Sequence, residues 1–154
     1  MNNKIGNAEN MKLVDRIILN GKVGYVNTGD ENGETIGVQN VIRKVTFAGE
    51  EIVDINSGFP LTKEMEDLLG WGVNFASVRF VTADVPVDPT TVEEKIIESY
   101  YGGAKAEYYH RYTDLTGYLW TNEGFEVGGH DIPKILENYV GQYIHMEIEL
   151  YKEN

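Results

Sequence analysis

The octapeptide Lys95-Ile96-Ile97-Glu98-Ser99-Tyr100-Tyr101-Gly102 returns 39 residues later as Lys134-Ile135-Leu136-Glu137-Asn138-Tyr139-Val140-Gly141, with five of the eight positions identical. Each copy leads into a Tyr-rich, strand-like run. An Ile/Leu stripe with charges between and a glycine past the end describes an amphipathic helix that packs on a sheet and stops at Gly. The echo therefore predicts one strand–helix–strand unit used twice, which makes the C-terminal half a two-layer α+β structure. Duplication and convergence both account for it and predict the same local structure. It carries no chemistry.

A chain of 154 residues fits one domain, and at this size it buries about two-thirds of its unfolded surface. Apolar residues make up 42%, far from the composition of disorder. No apolar run approaches the roughly 18–20 residues of a membrane span, and residues 1–10 are polar without the apolar core of a signal peptide. Cytosolic residence is the expectation. With no cysteine, disulfides, thiol catalysis, iron–sulfur clusters and Cys-based zinc sites are excluded. The net charge is −12, and of the 13 basic residues only Arg43 and Lys44 are adjacent. Nucleic-acid binders show a basic stripe because phosphate neutralisation supplies their affinity; direct DNA or RNA binding is not expected. The acidity serves solubility, or it docks the chain on a basic protein surface as a nucleic-acid mimic.

Along the chain, residues 1–10 read as a flexible tail. Residues 12–19 are β-branched and strand-like, Asn20-Gly21 is a strong hairpin-turn signal, and residues 22–27 return. Another turn at 29–34, a Val/Ile/Thr-rich stretch at 35–47 and a return at 51–56 complete an antiparallel meander over 11–56. A short helix is predicted over 62–69, capped by Thr62 and ended by a left-handed Gly70. Gly70-Trp71-Gly72 then joins the halves. Residues 75–83 alternate as a strand. Thr90 and Thr91, each with Glu three residues on, and the spacing Val92, Ile96, Tyr100 predict a helix over 91–101, ended by Gly102-Gly103. Strand 105–113 follows, then strand pieces at 115–121 and 125–127 around a turn at Asn122-Glu123-Gly124. Asp131 caps a second helix with Pro133 in its first turn, running to about Val140. The last strand alternates cleanly: Ile144, Met146, Ile148 and Leu150 on one face, Tyr143, His145, Glu147, Glu149 and Tyr151 on the other.

The fold class expected is α+β: a flexible tail (1–10), an antiparallel β-meander with a short helix (11–72) and a ferredoxin-like βαββαβ two-layer unit (73–154), together one compact domain. Both helices should cover one sheet face and leave the other open.

Candidate chemistry is thin. His110, His130 and His145 lack metal-ligand spacing and read as surface histidines. His130-Asp131 reads as a loop followed by a helix cap. Residues 30–34 resemble a fragment of a calcium loop but lack its ligand register, so an acidic hairpin tip is expected. No phosphate-binding glycine motif is present. Tyr108, Tyr109, Tyr112, Tyr118 and Trp120 crowd the middle strands. Ferredoxin-like RNA-binding domains stack bases on such aromatics, but their consensus is missing here and strand packing explains the cluster. Arg79 should pair across strands with Glu147 and Glu149.

No metal and no cofactor is expected. The leading functional expectation is a non-catalytic acidic interaction protein that binds and inhibits a protein partner; small size, acidity and lack of catalytic motifs are shared by accessory proteins of phages and mobile elements. The residues picked out for ligand or partner binding are Trp71, Arg79, Tyr108, Tyr112, Tyr118, Trp120, His145, Glu147 and Glu149. A second expectation is a small-molecule or nucleotide pocket between the halves, near Trp71, Tyr118 and Trp120. A third is an acid–base enzyme using His130 or His110. Self-association through the open face is compatible with each.

Overall fold

The computed structural model describes residues 11–27, 34–39, 43–46, 49–52, 58–88, 90, 97–113 and 118–153, with the backbone alone at 34, 43–46, 49–52, 109–113 and 118–123. The tail at 1–10, the acidic tip at 30–33 and the capping sequence at 91–96 lie outside the described residues. Among the described residues the strands are β1 (Met11–Asn27), β2 (Glu34–Gln39), β3 (Arg43–Thr46), β4 (Gly49–Ile52), β5 (Gly58–Pro60), β6 (Val73–Ala83), β7 (Glu98–Thr113), β8 (Tyr118–Val127), β9 (His130–Asp131) and β10 (Tyr143–Glu153). Helix α1 (Leu61–Leu68) precedes β6, and α2 (Ile132–Leu136), extended by a 3₁₀ turn at Glu137–Tyr139, precedes β10. Eight strands form one antiparallel sheet in the order β5-β2-β1-β10-β6-β7-β8-β9, while β3 and β4 pair separately, beside β1.

The first and last strands are neighbours at the centre of this sheet, in register from Met11 opposite Glu153 to Lys22 opposite Tyr143. The expected hairpin at Asn20-Gly21 is not there: β1 runs straight through, with Asn20 opposite His145 and Gly21 opposite Ile144. Gly21 is needed for close packing, since a β-carbon there would run into the Gln39 carbonyl and the Val38 side chain. The turn signal was a steric requirement of the sheet.

The echo that opened the sequence has two different structures. Its second copy behaves as expected: Asp131 Oδ1 accepts the Lys134 N–H at 3.2 Å, Pro133 lies in the first turn, and Gly141 takes a positive φ of 96° past the 3₁₀ turn. Its first copy does not, because residues 98–101 belong to β7 and pair with β6, from Glu98 opposite Phe80 to Tyr101 opposite Ser77. The aligned position for Pro133 is Glu94 and that for Asp131 is Val92, so the first copy lacks those start signals. Pairing satisfies the outer edge of β6, and Ser, Tyr, Tyr fit a pleated surface well. Asn122, Glu123 and Gly124, expected as a turn, are likewise strand residues of β8, opposite Tyr109, Tyr108 and Glu107.

The ferredoxin-like unit is therefore not shown. A split βαβ motif keeps its first two strands parallel and apart because a helix crosses between them, whereas β6 and β7 are direct antiparallel neighbours. What the described residues form is a mostly β structure, one large antiparallel sheet with two short helices. Helix α1 matches its predicted span within a residue, although Thr62 makes no capping bond and is buried inside it.

Both helices cover the same face. Leu61 and Met65 of α1 and Ile132 and Leu136 of α2 share one core with Ile17, Leu19, Val78, Phe80, Phe125, Met146 and Ile148. Each such side chain contributes roughly 1.5–3 kcal/mol by leaving water. The sheet coils so far that β2 and β8, five strand steps apart, come within 8 Å Cα to Cα, with α1 and α2 in the trough between them. No helix among the described residues is long and apolar enough to cross a membrane.

Candidate functional site: the polar face of the central strands

Alternation along β10 buries Ile144, Met146, Ile148 and Leu150 under the helices and sends Tyr143, His145, Glu147, Glu149 and Tyr151 to the opposite face. Register then decides what they meet. On one side β1 sets Arg16 opposite Glu149 and Asn20 opposite His145; on the other β6 sets Arg79 opposite Glu147.

Glu147 is the hub. Its Oε1 accepts hydrogen bonds from Arg16 Nη2 at 3.0 Å and Arg79 Nη2 at 3.1 Å, and its Oε2 lies 3.2 Å from His145 Nε2. The other imidazole nitrogen, Nδ1, lies 2.8 Å from Asn20 Oδ1. Arg16 Nε also approaches Glu149 Oε2 at 3.7 Å, an ion pair too long for a hydrogen bond, and Glu149 Oε1 accepts from the Tyr151 hydroxyl at 2.9 Å. The Tyr151 ring meets Tyr101 edge-on at 6.2 Å, and Lys22 Nζ sits 5.4 Å over the Tyr143 ring.

Burial opposes the charge on Glu147, whose side chain is 15% exposed, but the hydrogen bonds from Arg16, His145 and Arg79 outweigh it and hold the carboxyl below the usual carboxylate range. The same bond to Glu147 holds Arg16 above its ordinary value. Such a carboxylate is a weak base with its oxygens occupied. His145 was expected at the surface; it is 5% exposed, because Asn20 and Glu147 close on both ring nitrogens.

Four residues picked out from the sequence thus come together: Arg79, His145, Glu147 and Glu149. The expected Arg79–Glu147 pair is present. Arg16 and Asn20 were missed, and the signal for them was available: once β1 is read as unbroken, both fall on one face of it by period two. The remaining candidates lie elsewhere. Tyr108 is buried on the helix side, its backbone N–H donating to Glu66 Oε2 at 2.8 Å and its ring 5.7 Å from Lys63 Nζ. For Tyr112, Tyr118 and Trp120 the register sets them opposite Leu119, Thr113 and Arg111; their side chains, like that of His110, lie outside the described residues.

Trp71 stands off the cluster, in the turn that joins α1 to β6. Gly70 N–H donates to Val73 O at 2.8 Å and Val73 N–H to Gly70 O at 2.9 Å, with φ of 54° at Trp71 and 91° at Gly72. Positive φ at both central residues is the type I′ signature. Trp71 is fully exposed, at 101%.

A small cleft of about 150 Å³ lies on the β7–β8 ribbon, lined by Lys105, Glu107, Gly124 and Glu126. It is below the roughly 300–1,000 Å³ of ordinary ligand pockets, and it is not at the junction near Trp71. His130 is exposed on β9, its ring 4.9 Å from that of Tyr100, while the neighbouring Asp131 carboxylate serves the helix cap. Among the described residues no three His, Asp or Glu side chains converge as metal ligands. Comparison with known proteins finds no matching family model, no matching curated protein and no matching solved structure.

Proposed function

We propose that this chain is a non-catalytic acidic interaction protein that docks on a basic surface of a protein partner. The observation that carries the reading is the saturation of Glu147. General acid–base work needs a group whose pKa lies near the operating pH and whose proton is within reach of a substrate. The most elaborate polar cluster described here moves its carboxylate the other way and ties it to Arg16, Arg79 and His145. Arg16 and Arg79 are balanced by Glu147 and Glu149 within the cluster, so the net charge of −12, from 25 Asp and Glu against 13 Lys and Arg, is carried by the rest of the chain. A surface of that sign steers and retains cationic partners. Where the partner's basic surface is itself a nucleic-acid site, docking inhibits it by occupancy.

Pull-down of partners at low and high salt tests the proposal. Electrostatic docking weakens as ions screen it, so capture of a basic protein at low salt that is released at high salt is the expected result. Capture that ignores salt, or turnover of a substrate by the purified chain, would count against it.

A further inference from the structure

Asn20-Gly21 reads as a hairpin turn, lies instead inside β1, and has no part in docking. Asparagine followed by glycine is also the pair most open to attack by the backbone on the side-chain amide. Glycine adds no β-carbon and permits the folded-back backbone that the attack needs. The Gly21 nitrogen bonds to Asn20 Cγ, the Cγ–Nδ2 bond breaks, and ammonia leaves with the proton that the nitrogen gives up. Water then opens the cyclic imide. Breaking the newly formed bond leaves an aspartate at position 20. Breaking the original peptide bond leaves an isoaspartate, in which the main chain runs through Cγ.

The native sheet denies this geometry. Strand β1 is extended through both residues, with Asn20 opposite His145 and Gly21 opposite Ile144. Asn20 Oδ1 is held 2.8 Å from His145 Nδ1. Leu19 and Val23, 0% and 1% exposed, bracket the pair in the core, so the backbone cannot fold back there unless β1 leaves β10. The sheet also separates the two products. An aspartate keeps the backbone unchanged and an oxygen where Asn20 Oδ1 stands. An isoaspartate puts one more carbon into the main chain, at a point where β1 is in register with β10 up to Lys22 and with β2 from Lys22 onward. A paired strand absorbs an insertion as a bulge, and Gly21 has no room for one: even a β-carbon there would run into the Gln39 carbonyl. We propose that Asn20-Gly21 is a self-modification site that the native sheet keeps closed, and that its isoaspartate product, formed when β1 leaves β10, bars the chain from folding again. A passing loss of the central strand pair thereby becomes permanent.

The test ages the wild-type chain at mildly alkaline pH, native in buffer and unfolded in urea. Trypsin, cutting after Arg16 and Lys22, separates residues 17–22 from the other Asn-Gly pair, Asn32-Gly33, and chromatography with mass spectrometry measures both products. The unfolded chain should convert to the two of them. The native chain should convert at least about a hundredfold more slowly, because opening the central strands takes most of the folding free energy. No product in urea, or equal rates in the two conditions, would overturn the proposal. The aged chain is then diluted from urea, and size exclusion separates compact from unfolded molecules. Aspartate should enter the compact fraction and isoaspartate should stay out of it; both products in the compact fraction in equal proportion would overturn the bar to refolding. Asn20→Asp separates the new charge from the inserted carbon. It should fold to a compact chain, and its failure to do so would assign the bar to charge and overturn the proposal.

Discussion

Glu66 accepts the backbone N–H of Tyr108 at 2.8 Å across 42 residues of sequence, so a helix side chain serves the edge of a strand. Strand β6 pairs with β7 only as far as Gly103, and beyond that point α1 lies alongside β7. Glu66→Ala removes the acceptor from an N–H on a residue only 7% exposed. The cost expected is about 1–3 kcal/mol, the desolvation penalty of an orphaned donor. Glu66→Gln retains an acceptor and should lose less. Urea midpoints of the three proteins measure both effects, and equal midpoints for Ala and Gln would remove the bond's role.

Glu147 makes the chain's stability depend on acid pH. Its folded-state pKa is lowered despite burial, by the bonds from Arg16, His145 and Arg79. A depressed carboxyl binds its proton later than it does in the unfolded chain. Its contribution is therefore present above the unfolded value of about 4.3 and is lost as the pH falls through the folded value. Glu147→Gln should cost about 1.5–3 kcal/mol at neutral pH, the range for hydrogen bonds to charged groups. That difference should shrink as both proteins are taken into acid. Denaturant midpoints against pH would show a constant difference if Glu147 were not the linked group.

Strand β10 was legible because its period-two pattern is uninterrupted over the nine residues from Tyr143 to Tyr151 and the pattern alone separates its faces. Helix α2 was legible because Asp131 and Pro133 act locally. Local rules failed where a residue answers to a distant neighbour. Gly21 looked like a turn because its crowding comes from Gln39, on another strand. Tyr100 looked helical because it follows Ile96 by four, while its pairing partner Val78 and its ring partner Phe80 lie about 20 residues back. The polar cluster was half legible for the same reason. Arg79 and Glu147 sit on strands correctly expected to be neighbours, but Arg16 and Asn20 enter only when β1 is known to lie against β10.

Two tyrosines should titrate late. Burial, then the hydrogen bond to Glu98 at 2.8 Å, pushes Tyr100 up to about 12, and burial with the bond to Glu149 at 2.9 Å does the same for Tyr151. An unfolded tyrosine ionises near 10. The native state thus keeps these protons where the unfolded chain has lost them. Their contribution to stability is whole below about pH 10 and is lost as the pH rises toward 12. Tyrosinate absorbance of the ten tyrosines should show a late component that Tyr151→Phe reduces. A single midpoint near 10 for every tyrosine would contradict the burial of both hydroxyls.

Gly102 and Gly103, expected to end a helix together, should respond oppositely to alanine. Gly102 has φ of 147°, and a β-carbon there would lie 2.8 Å from Gly128 Cα; Gly128, at φ 59°, presses in turn on the Tyr101 carbonyl. The backbone of β7 and the turn between β8 and β9 are in direct contact, tied by the Gly128 N–H to Gly103 O bond at 2.9 Å. Around Gly103 nothing lies within 4 Å of the β-carbon position, and its φ is not left-handed. Gly102→Ala and Gly128→Ala should each lower stability by about 1–3 kcal/mol through backbone strain and overpacking. Gly103→Ala should be neutral or stabilise by up to about 1 kcal/mol, because it narrows the unfolded ensemble at no native cost. Urea midpoints decide it: a terminator pair would lose stability at both positions, whereas a strand that crosses a turn in contact loses it only where the two backbones touch.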